Sequence, residues 1–191
     1  MVLRVTQFGE PVLRESGEAV TAFNDELRQF ASDMIETMRA EDGIGLAAQQ
    51  VGVALQFFVM DVQVREGPVD FQYTLDGRTV PLEMFMPLAV ANPKVETSGA
   101  VAPYEEGCLS FPGIRGSVER PTQVTMHYQD LDGHAHVIAC DGIFARVILH
   151  EYDHLQGTLF IDRMSPRVLR PLDSKLKRLK RDTKARMKSA C

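Results

Sequence analysis

Residues 143–157 read IFARVILHEYDHLQG and contain the pattern His-Glu-x-x-His. Ile143, His150 and His154 recur at helical spacing, which predicts that they share one face of an α-helix closed by the final glycine. On a helix, this pattern places two imidazoles one turn apart, where both can bind one divalent ion while Glu151 faces the attacking water. The stretch therefore indicates the metal centre of a hydrolase, with two core histidines that happen to be four residues apart as the alternative.

A catalytic metal site needs a third protein ligand and one open position. The familiar zinc proteases take that ligand from downstream, but this chain has Phe160 in the place of a third histidine and no glutamate after Glu151. Asp162 remains as a downstream candidate, although we expect the ligand upstream. There, Cys108 in EEGCLS (residues 105–110) offers a thiolate, which a bound cation would deprotonate. A buried structural cysteine or a nucleophilic Cys–His pair are the alternatives for this residue.

Length and composition are typical of one globular domain in a reducing compartment. The chain has 191 residues, of which 45% are hydrophobic and 25% charged, and it can bury a sizeable core. Its three cysteines are too few, and odd in number, for a disulfide framework. The first sixteen residues contain no evident signal peptide, and no apolar run approaches the roughly 18 residues that span a membrane. We therefore expect a cytoplasmic protein without a membrane segment, and a monomer.

Charge is distributed unevenly along the chain. Residues 165–191 contain ten Lys/Arg and two Asp, a net charge of +8, whereas the other 164 residues contain 11 Lys/Arg and 24 Asp/Glu, a net charge of −13. Such asymmetry is typical of a protein with a polyanionic partner, and a solvated surface helix is the alternative. Three leucines share one seam of this tail, which predicts a basic helix from about Leu172 to Ala190.

The rest of the chain predicts a further helix and several antiparallel strands. Asn24 is a typical N-cap of an amphipathic helix that should end near Glu41. Strands are predicted at residues 55–62, 122–128 and 135–140, the last two as a hairpin. Residues 63–87 are mixed in composition and predict an extended loop. The fold class is therefore α+β, with antiparallel or mixed β-sheets packed around a central metal-binding helix and a C-terminal helix added.

Residues 43–50, GIGLAAQQ, are a third chemically informative stretch. They fit the GxGxxA form of a dinucleotide-binding fingerprint, but that motif requires a strand directly before it and a helix is predicted there. Alternatively, the glycines of this stretch allow a tight backbone that presents its N–H and C=O groups to an extended substrate, with a side-chain amide nearby.

Together, GIGLAAQQVG (residues 43–52), EEGCLS (105–110) and HEYDHLQG (150–157) resemble, in this order, the three signature motifs of peptide deformylases. That family removes the formyl group from N-formylmethionine at the start of nascent proteins. The resemblance covers nearly the whole chain. It implies a single catalytic domain at residues 1–170 and a basic helical extension of the same domain at residues 171–191.

The resemblance implies one divalent metal ion bound by Cys108, His150 and His154. Fe²⁺ is the expected native ion, and Zn²⁺, Ni²⁺ or Co²⁺ are accepted as well, since a thiolate with two imidazoles does not choose among them. It also implies that Glu151 accepts a proton as the formyl carbon is attacked and passes it to the departing amine.

The resemblance further assigns the contacts to the oxyanion and the substrate. The Gln50 side-chain amide and the Leu109 backbone N–H are expected to stabilise the oxyanion. The methionine side chain is expected in an apolar pocket near Ile143 and His150. The residues expected to bind substrate are Ile44, Gly45, Gly107, Arg115 and Ile143.

The resemblance has three further implications. Glu106 and Arg120 match positions that form an ion pair behind the metal ligands, with an ordinary surface salt bridge as the alternative. Arg146 lies near the expected pocket wall, where it bears on the choice of the substrate residue after methionine. The basic extension at 171–191 resembles the one by which some bacterial members dock on the ribosome, so ribosomal RNA is an expected partner.

Two other functions fit parts of the sequence. A zinc endopeptidase would share the His-Glu-x-x-His pattern, but the downstream ligand is missing. A non-catalytic RNA-binding protein that keeps the fold is supported only by the basic tail. The complete set of catalytic and metal-binding candidates argues against this non-catalytic alternative.

Overall fold

A six-stranded antiparallel sheet organises the part of the chain that this computed structural model describes, residues 1–63 and 71–189. Its strands are β1 (Gly45–Ala47), β2 (Phe57–Met60), β3 (Tyr73–Leu75), β4 (Leu88–Gly107), β5 (Arg115–Gln129) and β6 (Ala135–Asp141). They lie in the order β1-β2-β4-β5-β6-β3, and every neighbouring pair is antiparallel. The predicted α+β class is confirmed, as are the strands that correspond to β2, β5 and β6.

Strands β4 and β5 form a long hairpin whose pairs run from Ala91 opposite Gln129 to Gly107 opposite Arg115. The sequence analysis did not predict β4. Its 20 residues include two prolines and an internal glycine, and two register shifts interrupt the ladder, so no alternating pattern is visible. This hairpin matters for the site, because it carries residues 105–110 to the central helix.

Within the described ranges, four α-helices accompany the sheet. They are α1 (Asp25–Ala40), α2 (Gly142–Leu155), α3 (Pro166–Leu169) and α4 (Asp173–Ser189). Short 3-10 helices span Pro11–Arg14, Ala48–Val51, Leu82–Met84, Phe160–Arg163 and Arg170–Leu172. The Asn24 side chain accepts a hydrogen bond from the Leu27 N–H at 3.1 Å and caps α1 as predicted. Helix α4 begins one residue later than predicted, and the predicted end at Ala190 lies outside the described residues.

Helix α2 is the buried centre of the molecule, with ten of its 14 residues buried. Its apolar face packs into the largest core cluster, where Phe144 and Ile148 meet Phe58 and Met126 of the sheet. Full burial of such a side chain stabilises a fold by about 1.5–3 kcal/mol. The opposite, polar side of the same helix carries the metal-binding pattern, so the core holds the site residues in place.

The predicted irregular loop at residues 63–87 is wrong in part. Strand β3 adds to the sheet edge beside β6, and its Tyr73 ring lies 5.8 Å from both Phe144 and Phe85. Three residues are too few to show a strand pattern, and these ring contacts supply the stabilisation that sequence alone could not indicate. Residues 64–70 of that loop lie outside the described residues. Every described helix is too short or too polar to cross a membrane.

Candidate active site

Three side chains converge where α2 passes the end of β4. The rings of His150 and His154 lie 5.2 Å apart, and the Sγ of Cys108 is 3.3 Å from His154 Nε2. All three ligand atoms lie within 4.8 Å of one another. Zinc-like cations hold sulfur and nitrogen at about 2.0–2.3 Å, which places the ligand atoms of one ion roughly 3–4 Å apart. The donor set therefore fits one divalent cation with a coordination position left open.

Without a bound cation, the pKa values of the two histidines shift in opposite directions. Burial lowers the pKa of His150, but its hydrogen bonds with Cys108 and Glu106 outweigh burial and hold that pKa well above the usual value. Burial and the nearby His150 charge hold the pKa of His154 well below its usual value. A cation binds only the neutral form of an imidazole, so metal binding at this site requires that His150 also release its ring proton.

Glu106 bonds to His150 on one side and to Arg120 on the other. Its Oε2 lies 3.0 Å from Nδ1 of His150, which leaves Nε2 of that ring free to bind a cation. Arg120 donates to both carboxylate oxygens, at 2.7 and 3.0 Å. Burial raises the pKa of Glu106, but these hydrogen bonds prevail and lower it to about 2. The predicted ion pair is confirmed, and both partners are buried rather than on the surface.

Asp153 extends this network and was missed in the sequence. It is buried, accepts from Arg120 Nη1 at 2.7 Å, and accepts from Arg163 at 2.7 and 3.2 Å. The one available signal was an acidic residue on the buried face of a helix, directly before a predicted ligand. Its partners lie 33 and 10 residues away, so no local spacing identified them.

Glu151 lies against β1 with its carboxylate almost enclosed. It is 3% exposed, and among the described residues its Oε2 has no hydrogen-bond partner. A Cβ added to Gly45 would be 2.4 Å from Glu151 Oε1, so glycine is required for this approach. Burial raises the pKa of Glu151 to about 7. A carboxylate with this pKa and a free oxygen can accept and release a proton near neutral pH.

The side chain of Gln50 is oriented by the backbone of Ala47. Its Oε1 accepts from the Ala47 N–H at 2.8 Å, which turns the amide nitrogen towards Cys108 Sγ and Ser110 Oγ, each at 3.4 Å. The amide can therefore donate to an atom bound beside the cysteine. Leu109 lines the same space, so both predicted oxyanion donors lie at one groove.

That groove has a volume of about 590 Å³ and runs between β4 and the Gly43–Gly45 backbone. Ten of the eleven predicted site residues line it, and the eleventh, His154, is buried behind them. The ten are Ile44, Gly45, Gln50, Gly107, Cys108, Leu109, Arg115, Ile143, His150 and Glu151. Glu41 and Tyr104 also line it and were not predicted, because nothing in their local sequence distinguishes them.

Two arginines border the groove in different ways. Arg115 is exposed and pairs with Glu105 at 3.1 Å. Arg146 is buried, and its guanidinium donates to the carbonyl oxygens of Val118, at 3.0 Å, and Ala102. It also lines a neighbouring cavity of about 530 Å³. Its expected effect on substrate choice stays a prediction.

The chain is similar to known proteins in sequence and in fold. The family model described as polypeptide deformylase matches residues 2–169. A peptide deformylase of Opitutus terrae is 46% identical over 190 residues, which cover 98% of each chain. The crystal structure of Thermotoga maritima peptide deformylase is 41% identical with a TM-score of 0.73, covering 87% of this chain and 99% of that one. A Synechococcus elongatus peptide deformylase in complex with actinonin is 39% identical with a TM-score of 0.76, covering 91% and 87%. The chain therefore belongs to the polypeptide deformylase family, metal-dependent amide hydrolases that remove the N-formyl group from nascent polypeptides.

Proposed function

We propose that Cys108, His150 and His154 bind the catalytic metal of this deformylase. The observation that supports this most is the convergence of their three ligand atoms at the groove that Glu151 also lines. A divalent cation at this position would supply a water of lowered pKa and a Lewis acid for the formyl carbonyl. We take Fe²⁺ as the native ion on the resemblance of the three motifs, and the borderline-soft donors also suit Zn²⁺, Ni²⁺ and Co²⁺.

Glu151 carries the proton in this proposal. Its carboxylate accepts a proton from the attacking water and delivers it to the nitrogen that leaves as the C–N bond breaks, so that formate and a free amine result. Burial holds its pKa near the operating pH, and a nearby cation would lower that pKa. The carboxylate packs closely against Gly45, where a Cβ would overlap it.

The developing oxyanion is stabilised by the Gln50 amide and the Leu109 backbone N–H. The amide direction is preset by the hydrogen bond from Ala47, so little reorganisation is needed during reaction. A single donor of this kind is typically worth about 10²–10³ in rate.

The formylmethionyl peptide lies extended along the groove in this proposal. The backbones of Ile44, Gly45 and Gly107 pair with it, and the methionine side chain packs near Ile143. Ile44 is 41% exposed, as expected of a residue that substrate covers. Arg115 stands at the rim. Actinonin, which is bound in the S. elongatus relative, should occupy the same groove and raise the melting temperature of the metal-loaded protein.

Formate release tests the proposed function. Protein purified without oxygen should release formate from formyl-Met peptides, and activity should scale with metal content. The same peptides without the formyl group serve as controls. Cleavage of an internal peptide bond without formate release would instead support the endopeptidase alternative.

We also propose that the catalytic domain spans residues 1–170 and that the basic extension at 171–191 contacts ribosomal RNA. Helix α4 buries Leu176 and Thr183 against the body, and its Lys and Arg side chains are exposed, including the three that form ion pairs within the helix. All site residues come from one chain, which supports action as a monomer, and the substrate emerges from ribosomes in the cytoplasm.

Sedimentation with ribosomes tests the contact. Charge reversal at Lys184 should weaken binding, and binding should fall steeply with added salt, because phosphate contacts release counterions. Lys94→Glu, an equal change at an exposed strand position, should have little effect. Ribosome binding that does not change with salt concentration would contradict an RNA contact through α4. An equal loss of binding in the two variants would contradict it as well. Gel filtration of the same protein tests the monomer.

A further inference from the structure

The N-terminal segment at residues 6–9 lies directly behind one of the proposed oxyanion donors. The Thr6 N–H donates to the carbonyl oxygen of Gln50 at 2.8 Å, and its Oγ1 donates to the carbonyl oxygen of Gln49 at 3.0 Å. Thr6 is 1% exposed, so neither bond competes with water. Two hydrogen bonds from one residue therefore hold the backbone that carries the catalytic amide.

The same segment contacts the strand end that carries the other donor. The Gln7 side-chain Nε2 donates to the carbonyl oxygen of Leu109 at 3.4 Å, and the Phe8 N–H donates to the carbonyl oxygen of Ser110 at 2.9 Å. Thus consecutive residues of one segment bond to two stretches that lie about sixty residues apart in the chain, and each stretch contributes a residue to the groove lining.

Helix α4 covers the outer side of this segment. The Lys180 Nζ lies 5.7 Å from the centre of the Phe8 ring. Gly9 has φ +117°, and a Cβ there would lie 3.1 Å from the Lys180 carbonyl oxygen. On its inner side, the Phe8 ring stacks on Phe111 at 4.8 Å. The segment is therefore held between the C-terminal helix and the core.

We propose that residues 6–9 form a brace that sets the separation of Gln50 and Leu109, so that Thr6 and Gln7 are positioning residues for oxyanion stabilisation. The inference rests on the proposed roles of Gln50 and Leu109. Those two residues belong to different elements, and a donor displaced by about 1 Å can cost on the order of 10² in rate. Neither Thr6 nor Gln7 lines the groove, so each acts through the backbone that it holds.

Isosteric substitutions at Thr6 test the brace. Thr6→Val removes the hydroxyl and should lower kcat about fivefold to tenfold, with KM within twofold and metal content unchanged. Thr6→Ser restores the hydroxyl and should recover kcat. Thr37→Val is the matched control, because Thr37 is also fully buried and its Oγ1 accepts from the Leu3 N–H at 2.8 Å, away from the groove. Equal losses of kcat in Thr6→Val and Thr37→Val, or no loss in Thr6→Val, would overturn the brace.

A double-mutant cycle separates the brace from general destabilisation. In a Gln50→Ala background, Thr6→Val should cause no further loss of kcat, because the group that it positions is gone. Full additivity of the two losses would overturn the inference. Gln7→Met, at a half-buried position, gives a second test: kcat should fall while the urea midpoint changes little, and an unchanged kcat would remove Gln7 from the brace. If Gln50→Ala alone leaves kcat unchanged, the proposed role of Gln50 fails rather than the brace.

Discussion

Replacing Gly45 by alanine would place a methyl group against the catalytic carboxylate. The added Cβ would lie 2.4 Å from Glu151 Oε1 and 2.9 Å from both Glu151 Cδ and Val147 Cγ1. Ordinary carbon–oxygen contacts are about 3.2–3.4 Å, close to the separations at which dispersion is favourable. Either the Glu151 side chain or strand β1 must therefore move by roughly 0.8–1 Å.

Both movements have a cost that can be measured. Overpacking of this kind destabilises a protein by about 1–3 kcal/mol. A catalytic group misplaced by about 1 Å can lose on the order of 10² in rate. We therefore expect Gly45→Ala to lower kcat about a hundredfold with the metal retained, since none of the three atoms nearest the new methyl group is a proposed metal ligand.

The assay is formate release under saturating substrate, with metal content and urea unfolding measured on the same preparation. Gly77→Ala is the control, because Gly77 has φ +75° and nothing within 4 Å, so alanine there strains the backbone without touching the site. A kcat within twofold of the original protein for Gly45→Ala would refute the packing argument. If Gly77→Ala lowered kcat as much as Gly45→Ala does, the effect would be due to reduced stability rather than to contact with Glu151.

Three other predictions address the proton carrier, the metal and pH. Glu151→Gln should retain the metal and lower kcat by about 10²–10⁴, and an active variant would exclude the proposed proton transfer. Cys108→Ser should lose or change its metal content, which elemental analysis measures; unchanged binding would exclude the thiolate ligand. Hydrogen bonds with Asp76 and Asp130 raise the pKa of His136, so its stabilising contribution is complete below the unfolded-state pKa and is lost as pH rises through the folded-state pKa. Urea midpoints of the original protein and His136→Gln should therefore differ more at pH 5.5 than at pH 9, and an equal difference would contradict this.

Helices α1 and α2 were predictable because their signals are local. Asn24 caps α1 through a residue three positions away, and His150 and His154 share a face through the helical repeat alone. The third ligand could not be predicted from helical spacing. Cys108 was reached through the lack of a downstream ligand and the motif resemblance, and the structure places its sulfur beside His154.

Strands and polar partners were harder to predict. Strand β1 has three buried residues without alternation, and β4 is broken by prolines and register shifts, so neither had a readable period. Asp153 and Thr6 could not be paired with Arg120 and Gln49 from any window of sequence, because 33 and 43 residues separate the partners.

The sequence by itself determined the helices that have strong periodicity, the kind of metal-ligand chemistry and the family. These depend on backbone geometry and residue type over a few neighbours, which every short stretch carries with it. Only the tertiary structure decided that the Glu151 carboxylate packs against Gly45, that Glu106 is buried, and that residues 6–9 bond to the backbone behind the groove. Such contacts are selected by the packing of the whole core, because burying a polar group is tolerated only where a distant partner arrives to satisfy it.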